Sequence, residues 1–266
     1  MAFARKFVAF LSIYWQETLA YRAATVIWIL ADTQTALIMP MVWLAAFGGN
    51  DHIFGMTPNV LVTYYLITLF LGQFIVCHLL WDIAWDIREG MLTTQMLRPF
   101  SVFWMNVARN LAWRTVKIVF FFPFLVIFLL AYGSYLGGVP LHITPEFVLT
   151  VLLGHTLSFL VANAIALLSL WTTEFQSVFS LYYFPESILS GRLVPLDSLP
   201  PWIVTIGNFL PFQFTVSVPA NALLGKLSQF ELRQAVCFQI AWIVVFALLG
   251  KALFTRGTRQ YTGFGN

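Results

Sequence analysis

Three carboxylates and two guanidinium groups share one short polar stretch. Asp82, Asp86 and Glu89 lie with Arg88 and Arg98 in residues 81–101, and apolar runs flank the stretch on both sides. Steps of four and three residues put the three acids on one face of a helix. Trp81 and Trp85 repeat at the same step, and Gly90 and Pro99 are helix stop signals. Acids, aromatics and Arg88 on a short helix suit docking into a groove on a soluble partner. The same residues also suit a solvated connector anchored by its aromatics at lipid headgroups.

Sets for covalent or hydrolytic chemistry are missing from the sequence. There is no HExxH, no Gly-x-Ser-x-Gly and no Cys/His cluster at metal-ligand spacing. No catalytic residue and no metal site is expected. His52, His78, His142 and His155 are scattered and read as loop or interface residues. Cys77 and Cys237 both lie in apolar runs and read as small buried hydrophobes. Gly225-Lys226 resembles the end of a phosphate loop, but Leu227 stands where Ser or Thr is needed and Ala220 where the first Gly should be. The chain has no recognisable nucleotide site of its own.

Asp32 is the sharpest single residue. An acid deep in an apolar run costs about 2.5–3.5 kcal/mol on insertion scales, so it must face a partner or water rather than lipid. One reading makes Asp32 part of a translocation path with Gln34 and Gln73. The other is an interhelical hydrogen bond that Asp32 accepts from a polar neighbour such as Gln34 or Gln73. Glu174 and Glu186 fall near span boundaries, where an acid is less costly.

Composition sets the elements that position these groups. Of 266 residues, 60% are hydrophobic and 9% charged, and a soluble domain would carry about 25% charged. With 27 Phe and 10 Trp, more than one soluble core can use, the chain reads as an all-α integral membrane protein. The apolar runs are continuous, which excludes the alternation of a β-barrel. A net charge of +3 gives no reason to expect nucleic acid as a partner.

Residues 2–21 pattern as an amphipathic helix lying in the membrane interface. Phe3, Phe7, Phe10, Leu11, Tyr14, Thr18 and Tyr21 fall on one side, and Arg5, Lys6, Gln16 and Glu17 on the other. A plain extension of the first span is the alternative. Six spans follow, at about 23–47, 59–80, 112–132, 146–170, 175–189 and 236–254. Pro123 removes one backbone hydrogen bond from the third span and is expected to kink it. Residues 191–225 are apolar yet hold Pro195, Pro200, Pro201, Pro211 and Pro219. They read as short proline-broken helices that re-enter the membrane from one side.

The positive-inside rule orients this layout. With both termini cytoplasmic, 11 of 14 basic residues fall inside, counting Arg109, Arg114 and Lys117 at the entrance to span three. Arg192, Lys226 and Arg233 fall outside. The expected location is a bacterial cytoplasmic (inner) membrane, with no cleavable signal at the N-terminus. The absence of a repeat relating the halves argues against an inverted-repeat secondary transporter.

The motifs, taken in order, resemble a known family. Asp86-Ile87-Arg88-Glu89-Gly90, then Leu92, Leu97-Arg98-Pro99 and Ser101, look like the cytoplasmic loop of ABC transporter permeases of the second, exporter-like type. Ser190-Gly191, Pro195, Leu199-Pro200, Trp202, Leu210-Pro211-Phe212 and Gly225 resemble the outer segment of that family. The resemblance implies a permease domain over 1–266 that pairs with a second permease, identical or homologous. It implies two copies of a separate ATP-binding subunit, with ATP and Mg on that partner and no cofactor here. It makes Asp86, Ile87, Arg88, Glu89, Gly90, Met91 and Leu92 the coupling contact with the ATPase, and Pro195, Pro200 and Pro211 parts of an outer gate. The competing reading is a secondary transporter or channel with no nucleotide-binding partner, which would want more intramembrane ionisable groups than Asp32.

Overall fold

The structure, a computed structural model, describes residues 2–172 and 175–261. Among these residues it is helical, with one isolated β-bridge between Ile53 and Met56. Eleven α-helices follow in order: α1 Ala2–Ala20, α2 Arg22–Phe47, α3 Pro58–Ile75, α4 Leu80–Arg88, α5 Met91–Met96, α6 Val102–Tyr132, α7 Pro145–Ala166, α8 Phe175–Leu189, α9 Pro201–Asn208, α10 Ser217–Leu223 and α11 Gln229–Gly257.

Among the described residues five stretches are long and apolar enough to cross a membrane: Arg22–Phe47, Pro58–Arg88, Val102–Tyr135, Pro145–Leu170 and Gln229–Gly257. The expected span at 175–189 is helix α8, which has 15 residues with Pro185 inside it. At 1.5 Å per residue it is about 22 Å long, short of a hydrocarbon core of about 30 Å. Its neighbours Thr173 and Glu174 lie outside the described residues. Span three is longer than expected. Helix α6 runs unbroken from Val102 through Pro123 to Tyr132, about 46 Å.

Local chemistry explains most boundaries. The Thr57 side chain accepts from the Val60 amide at the head of α3, and the Thr144 side chain does the same for Phe147 at the head of α7. A proline follows each cap in the first turn, where its missing N–H is harmless. Ser228 and Glu231 form a reciprocal capping box on α11. In the proline-rich segment each marked residue opens a short helix. Pro195 precedes the 3-10 turn Leu196–Ser198, Pro200 precedes α9, and Pro211 precedes Phe212–Phe214. Pro195 and Pro211 are buried, whereas Pro200 is exposed.

Two ends of the bundle can be told apart by contacts. At one end Lys6 Nζ donates to Pro99 O at 2.7 Å and Tyr261 Oη to Ile87 O at 2.8 Å. The two termini and the α4–α5 elbow therefore share this end. At the other end the Asn59 side chain donates to Gly137 O, the His142 amide to Leu223 O, and Tyr64 Oη to Gly191 O at 2.7 Å. The aromatic stripe of α1 seats on α6 rather than on lipid. Phe10 stacks on Phe100 at 5.3 Å, Phe3 meets Trp104 edge-on, and Tyr14 is buried. Phe3, Val8, Ile13 and Trp15 are the exposed large apolar residues of that helix.

Candidate functional site

The expected helix pair 59–80 and 81–90 is one apolar stretch with a break. Residues 76–79 (Val76, Cys77, His78, Leu79) are not helical. A break at membrane depth frees backbone groups that water cannot reach, and each must find another partner. Here they do. The Cys77 amide donates to Ser158 Oγ on α7 at 3.0 Å. The carbonyls of Gln73 and Val76 accept from Arg114 of α6, at 2.8 Å from Nη1 and 3.2 Å from Nη2. Arg114 is therefore an internal clamp and not a loop charge at the entrance of span three.

One turn further along α6, Lys117 is fully buried and donates to Asp32 Oδ2 at 2.5 Å. His78, in the break, places Nε2 3.0 Å from the same oxygen. Asp32 is thus partnered by Lys117 and His78, not by Gln34 or Gln73. Gln34 lies on the exposed side of α2. Gln73 is buried, and its side chain donates to Leu69 O within its own helix. Aromatics enclose the cluster. Trp28 and Tyr183 stack on the His78 ring, Trp113 meets it edge-on, and Lys117 Nζ sits 4.6 Å from the Trp113 ring centre. Such an array strengthens each ionic contact by excluding water. Arg192, expected on an outer loop, also turns inward and pairs with Glu186 of α8.

A cavity adjoins the cluster on each side. The first, of about 220 Å³, lies among α1, α2, the break and α6, and is lined by Glu17, Trp28, His78, Trp81 and Arg109. The second, of about 160 Å³, lies among α2, α3 and α8, and is lined by Asp32, Thr35, Gln73, Ser187 and Arg192. Asp32 faces one cavity and His78 the other, so the contact between them is the partition.

The elbow is built around a second ionic knot. Arg109 of α6 reaches Asp86 at 2.9 Å, Asp82 at 3.4 Å and Glu17 of α1 at 3.7 Å, and lies over the Tyr14 ring. Burial holds the Tyr14 phenol above its ordinary pKa against the opposing pull of Arg109, so the cation rests on a neutral ring. Asp86 also accepts from Gln95 of α5 at 2.8 Å. Gly90 joins α4 to α5 with φ of 76°, a backbone setting natural to glycine. The residues expected to meet a partner divide by this geometry. Asp86, Ile87 and Leu92 are turned into the chain, the last two packing on α7 and α8. Arg88, Glu89 and Met91 face outward, with Trp85 and Leu97 beside them. Of the three acids expected on one face, Asp82 and Asp86 turn to Arg109 and Glu89 faces outward. The two cysteines also divide, Cys77 being buried and Cys237 exposed.

Sequence reasoning missed Arg114, Lys117, His78, Ser158 and Arg109 as site residues. A signal was available: basic residues on α6 spaced to recur near one face, in a stretch whose neighbours are apolar.

An apolar helical bundle with a broken second span, a buried ionic partition and a polar elbow at one end defines a membrane transport protein. The family model described as ABC-2 family transporter protein matches residues 33–265, and the chain belongs to that family. No curated protein and no solved structure matches it. Members of this family are membrane subunits that generally partner with an ATP-binding subunit.

Proposed function

We propose that this chain is the permease subunit of an ABC exporter, driven by ATP-binding subunits that dock on the α4–α5 elbow. Two copies of the ATPase would serve a pair of permeases in a bacterial cytoplasmic membrane, with both termini and the elbow in the cytoplasm. Helix α8 would serve as a short sixth crossing, and the prolines at 195, 200 and 211 would shape the outer gate. The supporting observation is the division of the elbow. Its inner face is tied to Arg109 and the ends of α7 and α8, and its outer face presents Trp85, Arg88, Glu89 and Met91. A surface of aromatic, charged and thioether groups on a rigid mount suits docking.

In this reading ATP-driven closure of the partner pair displaces the elbow. The Asp32–His78 contact opens and closes as α2 and the break separate, and the two cavities connect in turn. Positive-inside counting still favours the orientation, because removing the buried Arg114 and Lys117 leaves nine inner basic residues, and Arg192 leaves the outer set.

Co-purification tests the proposal. The tagged chain is solubilised mildly from its native membrane, and its companions are identified. A stoichiometric ATP-binding subunit is expected. R88A/E89A should lower its recovery at least about tenfold, as two charge-assisted contacts allow, without changing the thermal midpoint of the permease. Recovery of the chain alone, or full retention of the ATPase by R88A/E89A, would refute the docking assignment.

A further inference from the structure

The ionic cluster is not electrically balanced. Arg114, Lys117 and Arg192 carry positive charge, while Asp32 and Glu186 are the carboxylates set against them. Lys117 lies in the field of Asp32, Arg114 and Arg192 together, so the five groups act as one array. Arg114 has no carboxylate and bonds to carbonyls and to Asn110 Oδ1 at 3.4 Å. A surplus buried cation in an apolar setting draws an anion.

The cavity among α2, α3 and α8 is where an anion can meet this array, through Arg192 rather than through Arg114 or Lys117. Arg192 lines it with Asp32, Gln73, Thr35, Thr68 and Ser187, a set rich in hydrogen-bonding groups. Arg192 gives one Nη to Glu186, and its Nε is buried without a partner. The volume of about 160 Å³ accommodates a headgroup and not a whole amphiphile. On the same helix faces, one turn from Thr35 and from Ser187, stand Ile38 and Phe184, both exposed. A chain leaving the cavity would run along these apolar side chains.

We propose that this cavity binds the phosphate or carboxylate headgroup of an anionic amphiphile, with Arg192 as the principal contact. The inference rests on the permease reading, since it names the substrate class of the same path. When the headgroup binds, it takes the free edge of the Arg192 guanidinium and sets a second anion beside Asp32, which lines the same cavity. Substrate would thereby loosen the Asp32 partition it must pass.

The test uses the full chain in neutral maltoside micelles and reads the thermal midpoint against three probes: decyl phosphate, decyltrimethylammonium and inorganic phosphate. Decyl phosphate is expected to raise the midpoint saturably, and the other two are not. Glu186→Gln with Arg192→Gln removes both partners, leaves the net charge of the array unchanged, and should weaken half-saturation about tenfold or more. Asp32→Asn should strengthen it, by at least about threefold, because it removes a carboxylate that lines the cavity. A site merely damaged by substitution would weaken in both variants, which overturns the proposal. Equal shifts from the cationic and anionic amphiphiles overturn it as well. A full shift from inorganic phosphate alone overturns the lipid-like source. No ATPase is present, so failure here leaves the co-purification result standing, and loss of co-purification leaves this result standing.

Discussion

Removing Arg114 should open the break at residues 76–79. In Arg114→Met the carbonyls of Gln73 and Val76 lose their donors at 2.8 and 3.2 Å. Each buried carbonyl left unpaired costs about 1–3 kcal/mol. Release of the guanidinium from burial offsets part of this, so the net local loss is about 2 kcal/mol or more. The break carries its own reporter. Cys77 is buried within it, and the other cysteine, Cys237, is exposed and can be changed to serine. In that background the rate of maleimide labelling at Cys77 measures how often the break opens. A loss of about 2 kcal/mol should raise the rate about 30-fold. Arg114→Lys, which brings a point donor in place of a fork, should fall between the two. Labelling that stays within about threefold of wild type in Arg114→Met, in protein that keeps its helix content, would refute the assignment of Arg114 as the clamp.

Arg109→Gln should detach α1 and the elbow from α6. It releases Glu17, Asp82 and Asp86 together, at about 1–3 kcal/mol for the part-buried Asp86 contact. Limited proteolysis near Tyr21 should accelerate, and Arg109→Gln with Asp86→Asn should recover part of the loss. Gly191→Ala should cost about 2 kcal/mol or more by thermal unfolding. Gly191 has φ of 80°, and a Cβ there would lie 2.5 Å from Tyr64 Oη, which now donates to the Gly191 carbonyl. Gly133→Ala, at a helical φ with open space around it, is the control and should change little.

The large apolar runs were readable because burial in lipid needs only length and composition, and α2, α7 and α11 fall close to where those place them. The caps at Thr57, Thr144 and Ser228 are equally local. The break was not readable. Val76-Cys77-His78-Leu79 holds neither Gly nor Pro, and what permits it is two distant side chains, Arg114 and Ser158, supplying what the backbone gives up. For the same reason Arg114 and Lys117 were taken for boundary charges. A span-boundary rule treats a cation as facing water, and here tertiary contacts replace water. Asp32 was correctly singled out as needing a partner, but its partners come from 46 and 85 residues away, beyond any helical spacing. At the elbow, helical periodicity put Asp82, Asp86 and Glu89 on one face. It could not foresee that Arg109 would claim two of them.

The break also decides which parts of the bundle share a load. Helix α4 is not a continuation of the shaft of α3. It is seated on the ends of α7 and α8 and strapped to α6 through Arg109. In the proposed permease a push on the elbow would reach α6 directly through Arg109, along a helix of about 46 Å that also holds α3 through Arg114. Arg114 and Lys117 both stand on that helix, so in this reading the grip on the break and the grip on Asp32 would shift in the same stroke, with residues 76–79 as the joint between α3 and α4.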